Sequence, residues 1–191
     1  MCTFVLGTFP ANAPLERMET RGRREYFRFT RLPPGTVASV LYPGEWFGRL
    51  TSRYCDCETA LGRRTDTKDA GQGHQETLER KADRLRRKGW SRNRIERWAT
   101  QVESDKSRHA KAEAENRANE AREWHRWLRH ALEDVGVEYV GILVDDFRGR
   151  LDEAYDDGEK AAPSTRDVRV RDVDEQFLES LKRGVLYRVR R

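Results

Sequence analysis

Along the first sixty residues the apolar positions come in short runs separated by turn residues, which is the pattern of strands rather than helices. "TFVLGTF", Thr3 to Phe9, is β-branched and aromatic and stops at Pro10, which has no backbone donor. "REYFRFTRL" alternates around Tyr26, Phe27 and Phe29, and the Pro33-Pro34-Gly35 turn leads into "TVASVLY", which Pro43-Gly44 ends. "EWFGRLTSRYCDC" follows directly. Three or four short strands with the turn chemistry of a meander are predicted here. "RRTDTKDAGQG", residues 63–73, offers nothing to bury and reads as exposed loop.

The period then changes. Leu78, Ala82 and Leu85 recur at helical spacing up to Gly89, and Ser91 is a candidate N-cap for a second helix carrying Ile95, Trp98 and Val102. Further on, Ala114, Ala121, Leu128 and Val135 fall seven apart, with Ala110, Ala118, Trp124 and Ala131 near the same coiled-coil-like stripe. An uninterrupted helix over 92–134 would be about 65 Å long. It therefore breaks near Ser104 to Ser107 or projects as an arm, and residues 75–134 are expected to form a helical hairpin. Trp124, Trp127 and Leu128 would anchor that arm to the sheet, or to a second copy of the chain in a homodimer.

"VEYVGILV", Val137 to Val144, is the most apolar run and predicts a central strand ending at Asp145-Asp146. The polar stretch through Pro163 reads as loop or short helix. "VDEQFLESLKRG" predicts a helix with Phe177, Leu178 and Leu181 inward, and "VLYRVR" a last strand at the sheet edge. The fold class is α+β: an antiparallel or mixed sheet formed by the N- and C-terminal segments, with an inserted long helical hairpin. The expected organisation is one domain over 1–191 with 75–134 as a projecting insertion.

Composition narrows the function classes. At 191 residues, 36% hydrophobic and 37% charged, the chain suits one domain with a large solvated part. No run is long and apolar enough to span a membrane and no secretory leader opens the chain, so a cytoplasmic protein is expected. The formal charge is +5, and only seven of its 38 basic residues are lysines. Arginine-rich composition suits phosphate recognition and also follows from GC-rich coding. Arg84, Arg87, Lys88, Arg92, Arg94 and Arg97, with Trp90 among them, would form a nucleic-acid-binding face. Glu76, Glu79, Asp83 and Glu96 in the same stretch fit a solvated helix face equally well.

Three cysteines, an odd number, argue for thiols rather than a disulfide scaffold. Cys55 and Cys57 are two apart and share a face on an extended strand, and Cys2 joins them if the first strand lies alongside. Three soft ligands suit zinc or copper(I), with a water or a histidine as the fourth. His74 is the nearest histidine in sequence; His109, His125 and His130 lie on the arm. The same three sulfurs fit a redox centre, and cysteines also fill cores as small hydrophobes. Asp56 is expected to face away from the sulfurs. The Asp145-Asp146 pair marks either a strand-end carboxylate site or a strand simply emerging into water.

If Met1 is trimmed, Cys2 carries an α-amine beside its thiol, and that amine can act as general base for the sulfur. The Met-Cys opening before an apolar strand resembles N-terminal nucleophile hydrolases and class II glutamine amidotransferases, which implies Cys2 as a catalytic nucleophile. Thr3 stands where those amidotransferases have glycine, and no Asn-Gly pair occurs. "MCTF", "CDCETALG" and the Gly-Trp-Ser helix start in "RKGWSRNRIERW" resemble an uncharacterised bacterial family. Its members begin Met-Cys-Thr and carry Cys-Asp-Cys-Gly-Thr-x-Leu-Gly, with Glu58 here in place of the glycine. That resemblance implies that all three cysteines belong to one site, and it names no reaction.

Overall fold

A computed structural model describes residues 2–19, 27–51, 55–57, 59–62, 77–147 and 161–191. The chain forms two compact units, one of residues 1–63 with 118–191 and the other of residues 64–117.

The first unit is built on six strands: β1 (Cys2–Phe9), β2 (Phe27–Arg31), β3 (Trp46–Thr51), β4 (Tyr139–Phe147), β5 (Ser164–Arg169) and β6 (Val185–Arg190). Their order is β2-β3-β1-β4-β6-β5. All neighbours are antiparallel except β5 and β6, so the α+β fold contains a mixed sheet drawn from both ends of the chain. The expected meander is not what forms, because β3 rather than β2 lies beside β1. Burial explains the order. Phe47 and Leu50 of β3 are buried in opposite clusters, whereas β2 buries Phe27 and leaves Arg28, Thr30 and Arg31 exposed, as an edge strand can.

Two more expectations change. "TVASVLY" is a 3₁₀ helix, Gly35–Val40, whose Val37 and Val40, three apart, sit against the sheet. β6 is interior, with Leu186, Tyr187, Arg188 and Val189 all buried; the edge belongs to β5, whose residues are mostly exposed and whose sequence carries no alternating signal. β4 is central as expected, but it runs through Asp145 and Asp146 to Phe147.

The pleat of the sheet divides the core. Val5 and Phe9 enter one cluster with Ile142, Val144, Tyr187 and Val189; Phe4 and Leu6 enter the other with Leu143, Phe147 and Leu186. The first cluster is closed by the C-terminal part of a long helix and the turn after it: Ala121, Trp124 and Leu128 of the helix and Ala131 of the turn are buried there, and the Trp127 ring stacks on Phe27 at 4.6 Å. Trp127 Nε1 donates to the Met18 carbonyl at 2.9 Å. Aromatic side chains of this size dominate the energetics of such a core, so the tryptophans anchor the helix to the sheet.

That helix is α3 (Arg92–Arg129), preceded in the chain by the short α1 (Leu15–Met18) and by α2 (Leu78–Arg87). Thr77 caps α2 by accepting from the Arg80 amide, and Gly89, at φ +81°, makes the turn between them. α3 passes through Ser104 to Ser107 without a break; its 38 residues span about 57 Å. Ala, Glu and Arg dominate it, with supporting pairs such as Arg92–Glu96 and Gln101–Asp105. The alanine stripe has two environments: Ala110 and Ala114 are exposed, while Ala121 is buried. Residues His130–Asp134 widen into a π turn, and α4 (Glu175–Glu179) is capped by the Asp174 carboxylate. Among the described residues no helix is long and apolar enough to cross a membrane.

Candidate thiol site

β1 sits between β3 and β4, and its partner on the β3 side changes part-way along. Cα pairing with β3 covers Leu6 to Phe9. Towards the start of β1 the segment Cys55–Cys57 takes over, with the Asp56 amide donating to the Thr3 carbonyl at 2.9 Å. This segment is not a strand, contrary to expectation. It is a tight loop, held by side chains.

Asp56 does most of the holding. Its side chain is fully buried; Oδ2 accepts from the Val5 amide at 2.9 Å and Oδ1 from Thr51 Oγ1 at 2.8 Å, with Arg49 at 3.8 Å. A buried carboxylate is stable only when charge and hydrogen bonds compensate it, and here both do. The expectation that Asp56 merely faces away is therefore corrected: it faces away from the sulfurs in order to tie their loop to β1 and β3. Burial lowers the pKa of the Arg49 guanidinium, and the Asp56 charge opposes that shift.

The rest of the loop follows from its own residues. Thr59 donates from both its amide (3.0 Å) and its hydroxyl (2.8 Å) to the Asp56 carbonyl, and its oxygen accepts from the Gly62 amide at 3.0 Å. A Cβ at Gly62 would lie 1.9 Å from the Asp56 carbonyl oxygen, so no other residue fits without moving the backbone. The Ala60 amide donates to Glu120 of α3 at 2.9 Å, and Leu61 enters the core.

This framework brings Cys2, Cys55 and Cys57 together: their sulfur atoms all lie within 4.8 Å of one another, and each residue is half-buried. Cys55 and Cys57 are paired as a disulfide, and Cys2 is a free thiol. The Thr3 amide donates to Cys57 Sγ at 3.1 Å, the Cys57 amide to Cys55 Sγ at 3.3 Å, and Cys55 Sγ lies 3.8 Å from the Thr3 carbonyl. Thr3 also links the site to the far side of the strand. Its hydroxyl donates to Asp146 Oδ1 at 2.6 Å and accepts from Arg183 Nη2 at 3.0 Å. Arg183 in turn pairs with Asp146 Oδ2 at 2.9 Å and donates to the Gly62 carbonyl at 2.8 Å.

Arg183 thus clamps the start of β1, the end of the cysteine loop and β4. Nothing in the sequence marks it, since a single arginine in a Lys-Arg-Gly turn looks like any other. Of the Asp145-Asp146 pair, Asp146 is a structural partner of this clamp rather than a carboxylate running out into water. His74 and Glu58 lie outside the described residues. Among those described, the group contains no histidine; His109, His125 and His130 lie on the long helical segment.

The basic residues belong to the other unit. Arg84, Arg87, Lys88, Arg92, Arg94 and Arg97 are exposed and Trp90 is half-buried. The Arg94 guanidinium stacks 3.9 Å from the Trp90 ring centre, Arg92 pairs with Glu96, and Arg97 bonds the Asn93 carbonyl. One face of the Trp90 ring is thus covered by the Arg94 guanidinium. No protein-family model matches this chain, and neither a curated protein nor a solved structure matches it.

Proposed function

We propose that this protein carries a thiol–disulfide redox centre in which Cys55 and Cys57 form the exchanging pair and Cys2 is the third sulfur. The observation that carries the reading is the pairing of Cys55 with Cys57 while the free Cys2 thiol lies within 4.8 Å. Exchange proceeds by attack of a thiolate on one sulfur of the bond, with the electron pair leaving on the other. The donor pattern favours one direction. Each sulfur accepts from one amide, Cys57 Sγ from Thr3 at 3.1 Å and Cys55 Sγ from Cys57 at 3.3 Å, but only Cys55 Sγ also lies against the Thr3 carbonyl, at 3.8 Å. Negative charge is better supported on Cys57, so attack at Cys55 forms the mixed disulfide and releases Cys57 as thiolate. A second external thiol then attacks the sulfur of the first, which leaves Cys55 as a thiolate and the two external sulfurs bonded to each other. A cytoplasmic setting, where a glutathione pool keeps thiols reduced, fits a pair that cycles rather than one that only staples the fold.

Equilibration of the protein in glutathione buffers of graded ratio, followed by alkylation and mass spectrometry, tests this. Cys55 and Cys57 are expected to gain label together over a single two-electron transition, with Cys2 labelled throughout. Labelling of all three at every ratio would leave the cysteines as space-filling residues.

A further inference from the structure

We infer that the reduced form of this centre is a three-thiolate binding site for a thiophilic d¹⁰ cation, zinc or copper(I), and that the Cys55–Cys57 bond and the bound ion exclude one another. The inference rests on the redox reading in one respect: the bond defines the state that cannot bind.

Ligands held at about 2.3 Å from one ion lie no more than about 4.6 Å apart. The sulfurs already fall within 4.8 Å of one another while two are tied together, and opening the bond lets that pair spread around an ion. The donor set selects the ion. Among the described residues the group contains sulfur only, and the carboxylates of Asp56 and Asp146 are committed elsewhere: Asp56 to Val5 and Thr51, Asp146 to Thr3 and Arg183. Hard cations that need carboxylate oxygen find no ligand in this group of described residues, whereas soft thiolates favour zinc and copper(I). The amides of Thr3 and Cys57, which point at sulfur, would support charge on the ligands in the manner of outer-shell donors. All three cysteines are half-buried, so an ion can reach them from solvent. Three sulfurs satisfy trigonal copper(I) and leave zinc one position for water or an external ligand.

The two states interconvert with balanced chemistry. A peroxide accepts two electrons from the Cys55 and Cys57 thiolates, so its O–O bond breaks as the S–S bond forms. The two oxygens take up two protons and leave, as two waters when the oxidant is hydrogen peroxide. The ion, left with Cys2 alone, dissociates. Reduction by two thiols restores the ligands.

Two samples of the full-length protein distinguish this from the redox reading: one reduced and kept anaerobic, the other oxidised with its bond verified by mass. Each is titrated with zinc against a chromophoric chelator and, in a separate arm, with copper(I) against a copper(I) chelator. The reduced sample is expected to take up one equivalent, and the oxidised one to bind at least about a hundredfold more weakly, since two of three ligands are gone. Peroxide added to the loaded protein should release the ion in step with disulfide formation. Cys57→Ser, checked for folding by circular dichroism, should lose the uptake. No uptake by the reduced sample, or equal uptake by both, overturns the inference while leaving the redox reading intact. Failure to form the Cys55–Cys57 bond under any oxidant removes the redox reading itself, whatever metal is bound.

Discussion

Two buried carboxylates in the same sheet unit, Asp56 and Glu45, each face an arginine from a strand, and they are treated differently. Asp56 is met by a backbone amide and a hydroxyl as well as by Arg49. Glu45 accepts from the Tyr42 amide at 2.6 Å and from Arg188 at 3.2 Å, but its Oε1 and the Arg188 Nε have no hydrogen-bond partner among the described residues. Arg188 is instead sheathed by rings, its guanidinium 4.1 Å from the centre of Tyr42 and 5.8 Å from that of Tyr139. The first carboxylate fixes the position of a loop that carries two of the three sulfurs against the strand that carries the third. The second pins the 3₁₀ segment to the sheet through the Val40 carbonyl, which also accepts from Arg188. Among the described residues each arginine keeps a buried Nε without a hydrogen-bond partner, so the difference lies in the carboxylates: both Asp56 oxygens accept bonds and hold a loop in place, whereas one Glu45 oxygen accepts none.

That contrast can be broken at either end. The largest effect is expected from Asp56→Ala, which removes the acceptor of the Val5 amide and the Thr51 hydroxyl and the charge facing Arg49: about 3–5 kcal/mol lost in urea unfolding. The variant should also lose the joint labelling of Cys55 and Cys57, since their loop is no longer tied to β1. Arg188→Met should cost about 3 kcal/mol by leaving Glu45 buried and uncompensated, whereas the double variant Glu45→Leu, Arg188→Met should recover most of that loss. If the double variant is no better than the single one, the pair is a net stabiliser and the contrast with Asp56 disappears.

Smaller effects sharpen the comparison. Arg183→Ala removes charge-assisted bonds to Asp146, Thr3 and Gly62 from a partly exposed site, for about 1–3 kcal/mol, and should shift the glutathione ratio at which the cysteine pair opens. The smallest is a pH effect at the Glu45 end. Burial first, and then the charge of Glu45, raise the Tyr139 phenol above its ordinary range. The unfolded chain releases that proton near pH 10 and the folded one keeps it to higher pH. The contribution is therefore intact below about pH 10 and is lost above it, by at most about 1.4 kcal/mol per pH unit. Unfolding free energies between pH 9 and 11 should show this slope, and Tyr139→Phe should lack it.

Much of this arrangement could be read from residues alone, for reasons that differ by element. β1, β3 and β4 announce themselves because both of their faces are buried, and the helices because alanine, glutamate and arginine recur at the right period. β5 was invisible, since a mostly exposed edge strand paired on one side needs no apolar alternation, and β6 looked like an edge because Arg188 and Arg190 mimic solvent-facing positions. The convergence of Cys2 on the Cys55–Cys57 segment was legible as a possibility; what secures it was not. Asp56 between two cysteines looks like a spacer until the Val5 amide and the Thr51 hydroxyl are brought to it, and Arg183 lies 180 positions from the Thr3 hydroxyl it bonds. Long-range polar contacts leave no periodic trace in a sequence.

The central claim, that three sulfurs from two distant segments form one site, is tested most directly with arsenite on the reduced protein. Trivalent arsenic bonds three thiols only when they converge, so native mass spectrometry should find one arsenic per chain with three hydrogens displaced. Cys2→Ser, Cys55→Ser or Cys57→Ser should each lose that adduct. An arsenic held through two thiols in the parent protein, or retained unchanged after Cys2→Ser, would contradict the account.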